Sequence, residues 1–243
     1  MLLACRKIVI VIVEGPSDEE ALGVALSHVY DPDTVYVHIM HGDITTRNGV
    51  NGNNVVSKIG NEIKGFASSR KYKKTDFKQI IHIVDTDGAF IPDENIIEES
   101  GLENNVYEDD GIHTVNVDGI IKRNAQKTEN LDRLRRRGSI WDIPYRVYYM
   151  SCNLDHVLHD KRNSTNDEKE SNAFTFAQMY KDDRDGFLDF ICKSEFSVTG
   201  DYNESWKLME KDLESLKRHT NLGIGLEEYR KEKETEECSN KGR

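Results

Sequence analysis

The sequence predicts an α/β fold, a mainly parallel sheet flanked by helices with a helical extension at the C-terminal end. Three observations carry that expectation. Ile8 to Val13 is an unbroken β-branched run, the composition of a strand buried on both faces of a parallel sheet. Gln79 to Gly88, QIIHIVDTDG, repeats the construction, with Ile80 to Val84 as a second buried strand. Up to Asp85, strand-like and helix-like stretches alternate in the order β-α-β-α-β, which favours a doubly wound sheet.

Taken in order, the first strand stops at Glu14, and Gly15 and Pro16 supply a tight turn. Ser17 followed by Glu20 reads as a capping box, and Ala21, Leu22, Ala25, Leu26 and Val29 give the next helix its apolar face. Asp31-Pro32-Asp33 turns the chain into a strand over 34–40, where Val35, Val37 and Ile39 alternate with larger or polar groups until His41-Gly42-Asp43 ends it. Asn48 to Asn54, NGVNGNN, tolerates positive φ and predicts a flexible loop near the same sheet edge. Val55, Val56, Ile59, Ile63 and Phe66 then recur at helical spacing.

Beyond Gly88, Pro92-Asp93 starts a short helix, and 106–116 reads as an irregular or short strand. Asp109 and Asp110, followed by Gly111, mark a turn or offer extra ligands. Lys122 to Arg137 is a helix with few apolar anchors, and Tyr145 to Met150 is the last strand, running into SCNLDHVLH. KRNSTNDEKESN, with no apolar anchor, predicts a linker. Aromatic and Leu positions from Phe174 to Leu216 predict helices that share a core, and a charge-dominated end predicts a frayed helix or disordered tail. The expected division is a catalytic domain over 1–160, a linker or insertion over 161–172, a helical extension over 173–222 and a charged tail over 223–243.

Both buried strands end in carboxylates, Glu14 on one and Asp85 and Asp87 on the other. In open α/β sheets ligand crevices form at the carboxyl ends of strands. Were the two strands neighbours, three carboxylates would crowd one edge. They would repel one another unless a cation neutralised them, and oxygen-only ligands select a hard ion such as Mg²⁺ or Mn²⁺.

A strand ending in Glu14-Gly15-Pro16-Ser17-Asp18 and a later one ending in Asp85-Thr86-Asp87-Gly88 together resemble the TOPRIM domain of topoisomerases, primases, recombination proteins and OLD-type nucleases. The Glu-Gly-x-x-Asp form is most similar to the OLD-like nuclease branch, including stand-alone TOPRIM effectors of phage defence. The resemblance implies a Rossmann-like sheet and catalytic Glu14, Asp85 and Asp87 holding Mg²⁺ or Mn²⁺. It implies a metal-dependent nuclease acting on DNA or RNA, tRNA included, as the toxic effector beside a separate ABC-type ATPase sensor. It also makes Asp18 and Asp155 metal ligands, Asp155 standing where Glu is commoner. Read from residue chemistry alone, Asp18 is equally an acid favoured at a helix N-terminus and Asp155 equally a helix cap. His156 and His159 offer proton transfer, phosphate contact or plain packing, and His82 reads as a core or face residue.

At 243 residues the chain has room for one α/β domain and a smaller helical appendage, which excludes a multi-domain machine such as a complete topoisomerase. The formal charge of −11 argues against coating nucleic acid through bulk electrostatics. Basic residues are nonetheless concentrated in two runs, one holding Lys71, Lys73 and Lys74 and the other ending in Arg135, Arg136 and Arg137. These six are the candidate nucleic-acid contacts; the alternative is a pair of solvated faces. Cys5, Cys152, Cys192 and Cys238 show no zinc or disulfide spacing, so a reducing cytoplasm is the expected setting. No apolar run is long enough to span a bilayer, and Met1 to Val13 flows into the Glu14 motif without a cleavage site, as a strand does. The aromatic-rich C-terminal region offers a homodimer surface. Two other classes fit locally: a phosphatase of the haloacid dehalogenase type, using Asp85-x-Asp87-Gly88, and a non-catalytic interaction module with a vestigial metal site.

Overall fold

The structure, a computed structural model, describes residues 7–30, 35–39 and 42–241. The stretch before Lys7, the turn assigned to 31–33, Met40 and His41 lie outside the described residues.

The apolar run forms β1 (Ile8–Val13), buried at every position. It leads into α1 (Pro16–Val29), whose Ala21, Leu22, Ala25, Leu26 and Val29 are the buried face. β2 (Val35–Ile39), α2 (Val55–Ser69) and β3 (Phe77–Asp85) follow. β2 and β3 both pair with β1 in parallel, on opposite sides of it. The two crossovers therefore run in opposite directions, and right-handed connections place α1 and α2 on opposite faces of the sheet. That coverage is why β1 carries no polar position.

A small second sheet interrupts the winding. After a single 3₁₀ turn at Asp93–Asn95, where a short helix was expected, come β4 (Ile96–Glu98), β5 (Val106–Tyr107) and β6 (Ile112–Thr114), in the order β4-β6-β5. Asp109 and Asp110 lie in the β5–β6 turn, where Glu108 N donates to Gly111 O at 2.9 Å. Asp110 faces His113 and Asp109 faces Arg162, so the turn reading of this acidic pair holds.

α3 (Val117–Arg135) then runs to β7 (Ser139–Ile140) and β8 (Ile143–Met150). β8 pairs with β3 in parallel, with Asp85 opposite Met150, and β7 adds an antiparallel edge. The main sheet is thus β2-β1-β3-β8-β7, parallel except at that edge.

The C-terminal region contains α4 (Leu154–His159), α5 (Asn166–Tyr180), α6 (Arg184–Lys193), α7 (Tyr202–Met209) and α8 (Leu222–Lys241). α5 and α6 pack on α1. Phe176, Phe187, Trp206, Leu222 and Leu226 belong to the same buried cluster as β1 and β3.

Three elements differ from expectation. The capping box of α1 is not Ser17 with Glu20: the helix starts at Pro16, and Asp18 accepts from the backbone N–H of Gly15 at 2.9 Å and of Glu14 at 3.2 Å. The 161–172 linker is helical from Asn166, because Thr165 and Glu168 form a reciprocal N-terminal cap and that cap needs no apolar anchor. The charged tail begins as α8, with Leu222, Ile224, Leu226 and Tyr229 buried before the charges take over. Asn221 fixes its start, accepting from Tyr149 N and donating to Ser205 Oγ. Among the described residues no helix is long and apolar enough to cross a membrane.

Candidate metal centre

Adjacent parallel strands deliver Glu14 and Asp85 to one edge of the sheet, where Glu14 Oε1 accepts the backbone N–H of Asp85 at 3.3 Å. The turn after β3 is held from several sides. Thr86 N donates to Met150 O, Asp87 N donates to Cys152 O, and Thr86 Oγ1 accepts from Cys152 N while donating to Ser215 O. Asp87 sits at φ 49 and Gly88 at φ 63, both left-handed. Such a conformation costs on the order of 1 kcal/mol at a non-glycine residue and persists where its surroundings over-determine it. Arg123 donates to Asp87 O at 2.8 Å and completes that restraint.

Two residues that sequence reading did not nominate define the centre. Lys127 is fully buried on α3, and its ammonium donates to Asp87 Oδ2 at 2.5 Å and to Asp43 Oδ2 at 2.8 Å. Burial works against its charge, but Asp87, Asp43 and Glu14 outweigh that and hold its pKa well above the usual lysine value. Asp43 reaches Lys127 because Thr45 N and Oγ1 fix one of its oxygens and Thr46 Oγ1 the other. Against the cost of burial, Lys127 and these hydrogen bonds bring Asp43 down to about 2. The signal was present in α3. Its buried stripe, Ile120, Asn124, Lys127, Asn130, Leu131 and Leu134, keeps helical spacing but is half polar, and polar groups on a buried face need partners. Asn130 donates to Thr45 O, and Gln126 to Arg47 O and Val50 O, so this face grips the 43–50 loop. The loop expected to be flexible is tied to α3, and Asn54 and Asn51 also bond back to its own backbone.

A second group lies on the other side of Asp85. Asp18, Asp85, Asp155, His159 and Lys169 line a cavity of about 30 Å³, room for a water or an ion. Asn153 is the cap of α4, accepting from His156 N at 2.9 Å. Asp155 is therefore free of capping duty, and among the described residues its carboxylate accepts a single long bond, 3.3 Å, from Asn172. Burial raises Glu14, Asp18 and Asp85 above the usual carboxylate range, and their mutual repulsion adds to it. His82 is buried, bonded to Tyr145 Oη at 2.8 Å and lowered to about 4 by burial, the core role expected for it. Burial likewise lowers His156 to about 4. His156 Nδ1 and His159 Nε2 have no hydrogen-bond partner among the described residues.

The donor chemistry fits a hard divalent cation: apart from His159, the candidate ligands are carboxylates, and burial makes their uncompensated charge costly. The present rotamers do not form a cage. Among the described residues no three His, Cys, Asp or Glu side chains are placed to hold one ion, because Asp87 and Asp43 face Lys127 and Asp18 faces its own helix start.

The basic runs fall elsewhere. Lys71, Lys73 and Lys74 precede β3, at the opposite end from Asp85, roughly 26 Å away along the strand. Lys74 pairs with Asp142 there. Arg135 is 12% exposed, pairs with Asp132 and Glu210 and lies over the Trp206 ring. It is structural. Arg136 and Arg137 are exposed and share an open groove with Arg133, Gly52 and Asn53, about 13 Å along α3 from Lys127. The cation at the carboxylate cavity itself is Lys169. No family model, curated protein or solved structure matches this chain.

Proposed function

We propose that this chain is a metal-dependent phosphodiester hydrolase acting on nucleic acid, with a TOPRIM-like site. One observation carries the reading: Glu14 and Asp85 emerge side by side from neighbouring parallel strands, bonded through Asp85 N, with Asp87, Asp18 and Asp155 around them. Bound Mg²⁺ or Mn²⁺ would polarise the phosphate and lower the pKa of the attacking water. Asp85, Asp18 and Asp155 line the cavity that would hold it, with Glu14 bonded beside Asp85. Lys169, at the cavity, is placed to meet a phosphate oxygen. The restrained turn at 86–88 fixes where Asp85 and Asp87 start. The anti-phage setting and an ATPase partner rest on the motif resemblance alone.

The test is cleavage of labelled DNA and RNA panels, tRNA included, by the purified chain with Mg²⁺ or Mn²⁺. The expected result is cleavage that EDTA and Glu14→Gln each abolish; cleavage insensitive to both would overturn it. A second reading is a haloacid dehalogenase-type phosphatase, with Asp85 of Asp85-x-Asp87-Gly88 as nucleophile and Lys127 as the distant lysine that accompanies such a motif. A trapped acyl phosphate on Asp85 would select that reading.

A further inference from the structure

Lys127 is unusual in what surrounds it. Its ammonium contacts two carboxylates, Asp43 at 2.8 Å and Asp87 at 2.5 Å, and Glu14 is the third acid whose field it feels. Three acidic groups around one buried positive charge is the environment of a cation site, already filled by a side chain. Thr45 and Thr46 fix Asp43, 84 residues from Lys127 in sequence, and Asn130 on α3 holds their loop through Thr45 O. Meanwhile Asp18, Asp85 and Asp155 face a separate cavity whose one lining cation, Lys169, makes no hydrogen bond to any of them among the described residues.

We propose that the ammonium of Lys127 takes the place of one metal ion, so that this centre binds a single divalent cation, on the Asp85, Asp18 and Asp155 side. The proposal rests on the metal-dependent reading above and deepens it. Lys127 would keep Asp87 and Asp43 out of the ligand set and neutralise the side of the centre next to Glu14. An ammonium can stand in for the ion because it is a compact point charge with three donors, enough for the two carboxylates it touches. It cannot leave, so one positive charge stays in the centre whatever the ion concentration.

The decisive measurement is Mn²⁺ stoichiometry of the full chain by titration calorimetry, with Mn²⁺ paramagnetic resonance as a second readout. The wild-type chain and Lys127→Arg should each bind one ion, and Lys127→Met should bind two, since the vacated carboxylates then need a counter-charge. Because Lys127→Met strains the fold, Asp43→Asn and Asp85→Asn are measured beside it. Asp43→Asn should change the Mn²⁺ Kd by less than about threefold, and Asp85→Asn should weaken it at least a hundredfold. Two ions on the wild-type chain, one ion on a folded Lys127→Met, or equal losses in the two Asp variants would overturn the inference while leaving a metal site intact. No Mn²⁺ binding at all would overturn the metal reading itself.

Discussion

Lys127→Met isolates the electrostatic core of this centre. Removing a buried ammonium leaves Asp43 and Asp87 facing each other without a counter-charge, and breaking a buried ion pair in this way costs about 3–5 kcal/mol. Part of that penalty has a pH signature that the structure assigns. Asp43 is held at about 2, against an ordinary 3.8. A depressed folded pKa stabilises the protein above the unfolded value and loses that contribution as pH falls through the folded one. Nearly two pH units correspond to about 2 kcal/mol, present at pH 7 and mostly gone by pH 2.5. Urea unfolding of wild type and variant in EDTA, at pH 7 and between pH 5 and 2.5, measures it. The destabilisation should be several kcal/mol at neutral pH and shrink by about 1.5 kcal/mol on acidification. A loss under about 1 kcal/mol at pH 7, or one that stays constant down to pH 2.5, would refute the claim that Lys127 sustains these carboxylates.

Three further outcomes follow from the same geometry. Asp85→Asn removes a repelling, half-buried charge, so without divalent ions the variant should be more stable than wild type by about 1 kcal/mol at pH 7.5; thermal unfolding should also show that Mg²⁺ no longer stabilises it. Glu14 and Asp85 have raised folded pKa values, so the folded state binds the extra protons, and stability in EDTA should fall as pH rises above about 4.5. Added Mg²⁺ should therefore raise Tm more at pH 8 than at pH 5, and an equal rise would contradict that sign. Gly88→Ala puts a Cβ at φ 63, 2.6 Å from Leu216 Cδ2; a loss of about 2 kcal/mol in urea unfolding is expected, and a stable variant would mean the turn is less constrained than described.

Much of the scaffold was legible in the residues because its causes are local. An unbroken β-branched run made β1 and one interrupted only by His82 made the core of β3, apolar spacing fixed the faces of α1 and α2, and carboxylates at two strand ends marked the edge where they meet. Charge runs carried less information, for an equally physical reason: a cluster in sequence says nothing about which end of a strand it occupies. Lys71, Lys73 and Lys74 lie before the start of β3, at the other end from Asp85, and Arg135 is sequestered by Glu210 and Trp206. Asp18 was singled out for its spacing from Glu14, but only the folded chain set its carboxylate on the Gly15 and Glu14 amides.

What the sequence determined by itself was the α/β winding and the acids delivered by β1 and β3, since strand burial and strand ends follow from short-range patterning. What only tertiary structure decided was the charge balance of the centre. Lys127 and Asp43 stand 84 residues apart, and their meeting depends on how α3 lies against the 43–50 loop. An ion pair is a matter of a few ångströms in space, and no local pattern encodes that distance.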